Sequence, residues 1–393
     1  MTLGPVEALR APGERLVHQL SPDREDGWPD IEGAARLAFD LETDGFFAYR
    51  ERVCLLQIGT EDADWLYDPL DDGARALPEA LTRALQRPDR PLVGHALDND
   101  VRALDRDFGF RPGAVFDTAL AARVLGHGLP LGLEGLLRAV LGVEVDKSQQ
   151  RSDWSRRPLT EAQLRYARQD IVHLLPLADA LTARLQEVER LGWHLEECRR
   201  VLEVPPADHR FDPEGWRRVK SAKTLGVRGR AVMATLWRWR EREAEARNVA
   251  PFRVLHPEQV ARIARTLEAK GERALARLPG AGVERPRFDV ERLRAAAAEG
   301  LSAEDPGPRR TTPAGPRGEP LDDEAKQRLA RLREARGGWS AELGLDPGFL
   351  LPQSVLERVA RRAPEDEAGL EAIEGVAGWR RQVLGQEIIR ALQ

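Results

Sequence analysis

Two acidic residues spaced two positions apart are the first candidates for chemistry in this chain. The stretch "FDLET" places Asp40 and Glu42 in a short apolar run, residues 35–43, that is predicted to be a β-strand. Side chains alternate along a strand, so both carboxylates should point to one face, about 6–7 Å apart along the chain. Two like charges there repel unless a cation lies between them, and Mg²⁺ and Mn²⁺ prefer carboxylate oxygens. The alternative is a strand end in solvent, where two acidic groups cost little.

Two further segments carry polar groups at spacings that suit a shared site. In "GHALDNDVRAL", Asp98 and Asp100 lie at a predicted strand-to-helix turn, where either could instead cap the helix. In "RYARQD", Tyr166 and Asp170 are one helical turn apart and face the same way, with an exposed polar helix face as the alternative. Acidic groups on a strand, at a turn and on a late helix can converge on one metal site.

The elements that would position these groups alternate along the first 200 or so residues. Apolar runs predict strands at 35–43, 52–60, 62–70 and 90–95, and helical periodicity predicts helices at 78–86, 98–109, 117–126 and 132–142. Asp117 and Thr160 are suitable N-cap residues, and Pro176 is expected to break or kink the helix that carries "RYARQD". This order predicts an α/β domain with one mixed central sheet.

Composition narrows the class of protein. The 393 residues suffice for two or three domains, no run approaches the ~18 apolar residues of a membrane span, and the N-terminus lacks a secretory pattern. Two cysteines are too few for a disulfide framework or a cysteine-based zinc site, so a cytoplasmic location is expected, without a membrane partner. The 55 Arg and 5 Lys residues indicate a compositional bias, so arginine content alone does not indicate nucleic-acid binding.

The distribution of charge divides the chain further. Residues 1–204 carry a net charge of −11, residues 205–280 carry +8, and residues 281–393 carry −2. The basic part coincides with predicted helices, and a second helical segment at 322–393 repeats some of its pattern. "PFRVLHPEQVARIAR" (251–265) is echoed by "PGFLLPQSVLERVARR" (347–362). We interpret this as a duplicated helical module at 205–285 and 322–393, separated by a Pro/Gly-rich linker at 296–321. Two unrelated helical bundles are the alternative.

The acidic segments together resemble the DEDD superfamily of 3′→5′ exonucleases. Members have Asp-x-Glu in a first motif, Asp in a second, and Asp in a third that is preceded by either His or Tyr. Position 165 is Arg and Tyr166 lies four residues before Asp170, so the chain resembles the Tyr branch. Residues 146–175 resemble the third-motif region of the ribonuclease D family, and the helical modules resemble its HRDC domains. "HALDND", with an Asp five residues after its His, favours Asp100 over Asp98 as the second-motif residue.

The resemblance implies a fold and a mechanism. It implies an RNase H-like exonuclease domain at 1–204, followed by two all-α HRDC-like domains. Asp40, Glu42, Asp100 and Asp170 would hold two Mg²⁺ or Mn²⁺ ions about 3.5–4 Å apart. Tyr166 would orient the attacking water, because a phenol with a pKa near 10 is a poor base at neutral pH.

The resemblance also implies a substrate. We expect structured RNA with an accessible 3′ end, such as tRNA precursors, to be shortened by a monomeric enzyme that releases 5′-mononucleotides. The alternatives are a DNA-directed exonuclease and a non-catalytic nucleic-acid-binding scaffold. Candidate nucleic-acid contacts in the first domain are Thr43, His95, Arg151 and Trp154, although Trp154 could equally be a packing residue. The expected footprint on the basic module is a set of six cations: Arg217, Arg218, Lys220, Lys223, Arg228 and Arg230.

Overall fold

A six-stranded sheet forms the centre of the first part of the chain. The protein is described here from a computed structural model, which describes residues 16–20, 28–70, 77–126, 128–206, 210–279, 288–307, 320–376 and 378–393. The strands are β1 Leu16–Leu20, β2 Leu37–Thr43, β3 Val53–Gly59, β4 Ala63–Tyr67, β5 Leu92–Gly94 and β6 Val115–Asp117. Their order in the sheet is β1-β4-β3-β2-β5-β6, so β2 lies between β3 and β5. Strand β3 is antiparallel to β4, while β2–β5 and β5–β6 are parallel. The predicted mixed α/β fold is confirmed.

Helices surround this sheet. They are α1 Trp28–Gly33, α2 Glu79–Leu85, α3 Asp98–Phe108, α4 Thr118–Leu125, α5 Leu133–Leu141, α6 Glu161–Val172, α7 Leu174–Glu187 and α8 Leu191–Leu202. The four predicted strands correspond to β2–β5, and the four predicted helices correspond to α2–α5. Strand β6 was not predicted, because its three residues are too few to show an alternating pattern. Strand β1 and helix α1 were not predicted either.

Helix α6 begins and ends where its sequence indicates. The Thr160 hydroxyl accepts a hydrogen bond from the Gln163 amide, and the Gln163 side chain returns one to the Thr160 amide, which forms a capping box. The helix ends at Val172, and α7 begins at Leu174. Pro176 cannot donate to the Val172 carbonyl and its ring would clash with that carbonyl, so it accounts for the break.

A second compact unit contains residues 43–52 and 208–312; we call it the first helical unit. Its helices are α9 Val227–Ala246, α10 Pro251–Val254, α11 Pro257–Lys270 and α12 Val290–Ser302, with short 3₁₀ helices at Gly215–Arg218, Lys220–Thr224 and Gly271–Arg277. Helix α12 extends beyond the predicted boundary at 285 and into the predicted linker 296–321. Its Leu293, Ala296 and Ala297 are buried in the core of this unit, and that burial stabilises a helix there. Residues 308–319 of the linker lie outside the described residues.

The last helices pack in the same compact unit as the sheet. They are α13 Asp323–Leu343, α14 Pro347–Leu350, α15 Gln353–Arg362, α16 Glu367–Glu371 and α17 Trp379–Leu392. The Trp379 ring stacks on Trp193 of α8 at 4.5 Å, and the Glu197 carboxylate accepts hydrogen bonds from the Trp379 indole and the Arg380 guanidinium. Helices α14 and α15 repeat the arrangement of α10 and α11, as the sequence echo predicted. In the described part of the chain, every helix is too short or too polar to cross a membrane.

Candidate active site

Three carboxylates converge beside the central strand. Asp40 and Glu42 lie on β2, Asp170 lies on α6, and carboxylate oxygens of all three lie within 4.8 Å of one another. All three residues are partly buried. Carboxylate oxygens that share a Mg²⁺ ion at about 2.1 Å lie no more than ~4.2 Å apart, so only a small inward movement would allow them to share one cation. The donor set is entirely hard oxygen and fits a Mg²⁺ or Mn²⁺ site.

The charge of Asp100 acts on this site. It raises the pKa of both Asp40 and Glu42, and no such effect is seen for Asp98. Helix α3 begins at Asp98, and its N-cap position is Leu97, without a side-chain cap. The capping alternative is therefore not observed for either Asp98 or Asp100, and the electrostatic contact favours Asp100 as the member of the site.

Asp117 holds the turn that presents Asp100. Its carboxylate accepts hydrogen bonds from the backbone amides of Ala96 and Leu97, which precede α3, at 3.0 and 2.9 Å. It also accepts from the amides of Ala119 and Leu120 and so caps α4, as its position in the sequence predicted. One buried carboxylate thus connects the starts of two helices at the carboxyl ends of β5 and β6.

The acidic cluster binds protons more tightly than isolated carboxylates do. Burial, followed by the charges of Asp170, Asp100 and Glu42, raises the pKa of Asp40 well above its usual value. Burial and the charges of Asp170 and Asp100 do the same to the pKa of Glu42. Burial raises the pKa of Asp170 to about 7, against the effects of a hydrogen bond from Tyr166 and the charge of Lys147. A divalent ion that bound here would therefore have to displace protons from the cluster near neutral pH.

The raised pKa of Asp170 predicts a pH dependence of stability in the absence of metal. The folded protein holds a proton on Asp170 up to about pH 7, whereas an unfolded chain releases it near 3.8, so this contribution to stability is lost as the pH rises through 7. In EDTA, the melting temperature should fall between about pH 5.5 and about pH 8, and less steeply in Asp170→Asn. Mg²⁺ at the higher pH should restore the melting temperature. An equal pH dependence in Asp170→Asn would contradict the assignment.

Tyr166 lies one helical turn before Asp170 and is buried, with 8% of its surface exposed. Burial, and then the charge of Asp170, raises the pKa of Tyr166, so its hydroxyl stays protonated at neutral pH. The hydroxyl and the Asp170 carboxylate share a hydrogen bond, in which the phenol donates. The ring packs at 6.0 Å from that of Trp154. The tyrosine is thus fixed in place and can donate or accept a hydrogen bond beside the carboxylates.

Lys147 is a cation at this site that the sequence reasoning did not single out. Its charge lowers the pKa of Asp170, and its ammonium group pairs with Glu134 of α5 at 2.9 Å. The signal was present in the segment 146–175, where Lys147 precedes "SQQRSDW". His95 lies nearby, and its Nδ1 contacts the Thr118 hydroxyl at 2.9 Å. Burial lowers the pKa of His95, so its imidazole is neutral at pH 7.

The other candidate contacts of the first domain lie in different environments. The Thr43 hydroxyl donates a hydrogen bond to the Glu51 carboxylate at 2.7 Å. Arg151 is exposed. Trp154 is only 1% exposed, which favours packing, the alternative noted from the sequence, over stacking on a base.

The six cations of the basic segment divide into two groups. Arg217 bonds to Glu214 and to the backbone carbonyls of residues 306 and 307, and Arg230 pairs with Asp305. The side chains of these two arginines are 11% and 19% exposed, so they hold the first helical unit together. The remaining four are exposed, although one of them pairs with Asp212: Arg218, Lys220, Lys223 and Arg228.

Comparison with known proteins identifies the domains of this chain. The family model described as 3'-5' exonuclease matches residues 26–186, and the HRDC domain model matches residues 229–287 and 325–392. The ribonuclease D of Gluconacetobacter diazotrophicus is 33% identical over 345 residues, which cover 87% of this chain and 83% of that protein. The ribonuclease D of Pseudomonas paraeruginosa is 32% identical over 361 residues, which cover 91% and 92%. The duplicated helical module is thereby confirmed as a pair of HRDC domains.

A solved structure shares the whole fold. The structure of Escherichia coli RNase D, described as "an exoribonuclease involved in structured RNA processing", has a TM-score of 0.61 with this chain at 23% identity. The match covers 97% of this chain and 99% of that one. At this identity the match shows the fold, an exonuclease domain followed by helical domains.

Proposed function

The chain belongs to the ribonuclease D family of 3′→5′ exoribonucleases, and we propose that its carboxylate cluster binds two divalent ions for hydrolysis of the terminal phosphodiester of RNA. The observation that carries the proposal is the convergence of Asp40, Glu42 and Asp170 within 4.8 Å, with the charge of Asp100 acting on the same cluster. A set of four carboxylates is unstable without cations, and two divalent ions would balance their charge.

The residues of the chain have separate roles in this proposal. Divalent ions would be held by Asp40, Glu42, Asp100 and Asp170, and would supply Lewis-acid chemistry: activation of a water at neutral pH and stabilisation of negative charge on the phosphate and the leaving 3′ oxygen. Asp117 fixes the turn that carries Asp100. Tyr166 orients the attacking water through its hydroxyl, because its raised pKa keeps it from acting as a simple base. Thr43 and His95 are proposed to contact the 3′ nucleotide.

RNA binding is proposed to involve the exposed cations of the first helical unit. Residues 205–280 carry a net charge of +8, which attracts phosphates without regard to sequence. We assign the contacts to Arg218, Lys220, Lys223 and Arg228, with Arg151 as a further contact from the first domain. Arg217 and Arg230 have internal partners, so their proposed role is to support this surface.

Removing the two lysines should weaken binding of structured RNA and reduce its dependence on salt. Each lost phosphate contact lowers the slope of log K against log salt by about 0.7–0.9. Lys220→Gln and Lys223→Gln, alone and together, can be compared by titrating labelled RNA at several salt concentrations. The control is Lys326→Gln, an exposed lysine of α13 that pairs with Asp323. A double variant with the slope of the control would show that these lysines do not contact RNA.

The proposed substrates are structured RNAs with accessible 3′ ends, such as tRNA precursors, processed in the cytoplasm by a monomer. Incubation of matched 5′-labelled RNA and DNA with Mg²⁺, Mn²⁺ or EDTA tests the reaction. We expect RNA to shorten from its 3′ end one nucleotide at a time, with release of 5′-mononucleotides, and EDTA to stop the reaction. Preferential shortening of DNA would favour the exodeoxyribonuclease alternative. EDTA-resistant hydrolysis would contradict the role of divalent ions.

A further inference from the structure

Two exposed aromatic side chains contact each other in the first helical unit. Phe46 is 52% exposed and Phe252 is 42% exposed, and their rings meet edge to face at 6.1 Å. Among the described residues, six large apolar side chains are exposed, and these two are the only aromatic ones. An apolar pair that stays in contact with water is unfavourable unless something else covers it.

The peptide chain that carries Phe46 is held firmly in this exposed position. The buried Asp44 carboxylate accepts hydrogen bonds from the Arg52 amide and guanidinium, and the Asp44 carbonyl accepts from the amides of Phe47 and Ala48. Residues 44–52 therefore form a closed loop, and Phe46 lies in its turn at residues 45–47. A loop with this many internal bonds presents its side chains in a defined geometry, as a preformed binding surface requires.

Contacts with α10 and its surroundings fix the same loop from the other side. The Arg253 guanidinium donates a hydrogen bond to the Phe46 carbonyl and lies over the Phe47 ring at 3.9 Å. The Phe47 carbonyl accepts a hydrogen bond from the Ala250 amide at 3.3 Å. These bonds use the backbone and the neighbouring side chains of the loop, and about half of the Phe46 and Phe252 surface remains exposed.

The charge around the aromatic pair suits a nucleic acid. Arg50, in the same loop, has a side chain that is 82% exposed and lies 3.5 Å from the Glu245 carboxylate. Exposed aromatic rings and an exposed guanidinium carried by the same loop can bind single-stranded nucleic acid, since bases stack on rings and phosphates pair with cations. Contact with a second copy of this chain would cover the apolar surface but would give no role to the Arg50 guanidinium.

Phe46 lies close in sequence to β2, the strand that carries Asp40 and Glu42. Phe46 follows Glu42 by four residues, and an extended chain spans at most ~3.3–3.6 Å per residue, so their Cα atoms are no more than about 14 Å apart. That distance is within reach of the last few nucleotides of a strand whose 3′ end lies at the carboxylates.

We propose that Phe46 and Phe252 form a base-stacking platform for single-stranded nucleotides near the 3′ end of the RNA, with Arg50 pairing with a phosphate of the same segment. The proposal rests on the proposed exoribonuclease function, because that function places the 3′ end of a strand at the carboxylates. It assigns to residues 43–52 and α10 a shared role in substrate binding that is separate from metal binding.

The test compares Phe46→Ala and Phe252→Ala with the wild-type full chain on a short unstructured oligoadenylate. Stacking on an aromatic ring contributes enough to expect KM to rise about 5- to 100-fold in each variant, with kcat within about twofold of wild type. Phe46→Tyr should restore KM, because it keeps the ring, whereas Phe46→Leu should not. Leu195→Ala, which changes an exposed apolar residue of α8, is the control.

Abasic substitutions in the RNA identify the partner of the ring. Removing one base near the 3′ end should raise the wild-type KM by a similar factor at one or two positions, and should have little further effect on Phe46→Ala. A KM within about twofold of wild type in both alanine variants would overturn the platform. Failure of the exoribonuclease proposal can be told apart from failure of the platform. In that case the wild type itself would not shorten RNA. Anisotropy with labelled oligoadenylate would still measure binding to the platform.

Discussion

Asp40→Asn should reduce RNA hydrolysis by about 10³-fold or more and should at the same time stabilise the metal-free protein. The loss of activity is expected because Asp40 belongs to the carboxylates proposed to bind the ions, and a bound metal ion contributes several kcal/mol to transition-state stabilisation. The gain in stability is expected because Asp40 is a charge in a cluster of four, with a pKa raised by burial and by its neighbours. A neutral amide of nearly the same shape removes that repulsion.

Two measurements separate these effects. Initial rates on labelled RNA with saturating Mg²⁺ report the loss of activity, and melting curves in EDTA at about pH 8 report the gain in stability. Asp98→Asn is the matched control, because it removes an acidic group two residues from Asp100. Unlike Asp100, Asp98 has no effect on the pKa values of Asp40 and Glu42. A melting temperature of Asp40→Asn below that of wild type in EDTA would show that like-charge repulsion does not destabilise the metal-free site.

Tyr166→Phe should slow hydrolysis by about 10²-fold or more and leave RNA binding unchanged. A positioned group that handles or orients the reacting water contributes about 10²–10⁴-fold to the rate. The substitution keeps the buried ring beside Trp154 and removes only the hydroxyl that bonds to Asp170. The rate at saturating RNA measures the first effect, and anisotropy with labelled RNA in Ca²⁺ measures the second.

The control for this variant is Tyr67→Phe. Tyr67 lies on β4 and is fully buried, so the change removes a tyrosine hydroxyl from the core but not from the carboxylate cluster. Its rate should stay within about threefold of wild type. A normal rate in Tyr166→Phe would remove the tyrosine from the mechanism, and equal losses in both variants would point to a general effect on packing.

The main parts of the site were predictable because they depend on local geometry. The two-residue spacing of Asp40 and Glu42 on a strand and the four-residue spacing of Tyr166 and Asp170 on a helix each fix a shared face. The Thr160 capping box and Pro176 fix the ends of the helix that carries Tyr166. That these faces meet depends on how the helix packs on the sheet, which the resemblance to a family implied and periodicity could not show.

Features that depend on distant contacts were not predictable. Arg217 and Arg230 looked like surface cations, but the fold brings Asp305 to Arg230 and two distant backbone carbonyls to Arg217. Helix α12 follows a segment whose sequence carries no strong pattern for a helix start, and it is stabilised by burial against the rest of its domain. The Phe46–Phe252 pair joins a loop of the catalytic strand to a helix far along the chain, and nothing in either stretch alone indicates their contact.

The most direct test of the central claim is to locate Mn²⁺ by anomalous diffraction in crystals of the wild-type chain with a bound 5′-mononucleotide. The account predicts two Mn²⁺ peaks, both in contact with the cluster formed by Asp40, Glu42, Asp100 and Asp170, and a Tyr166 hydroxyl directed at the phosphate or its attacking water. A single ion, or ions bound away from these four carboxylates, would contradict it.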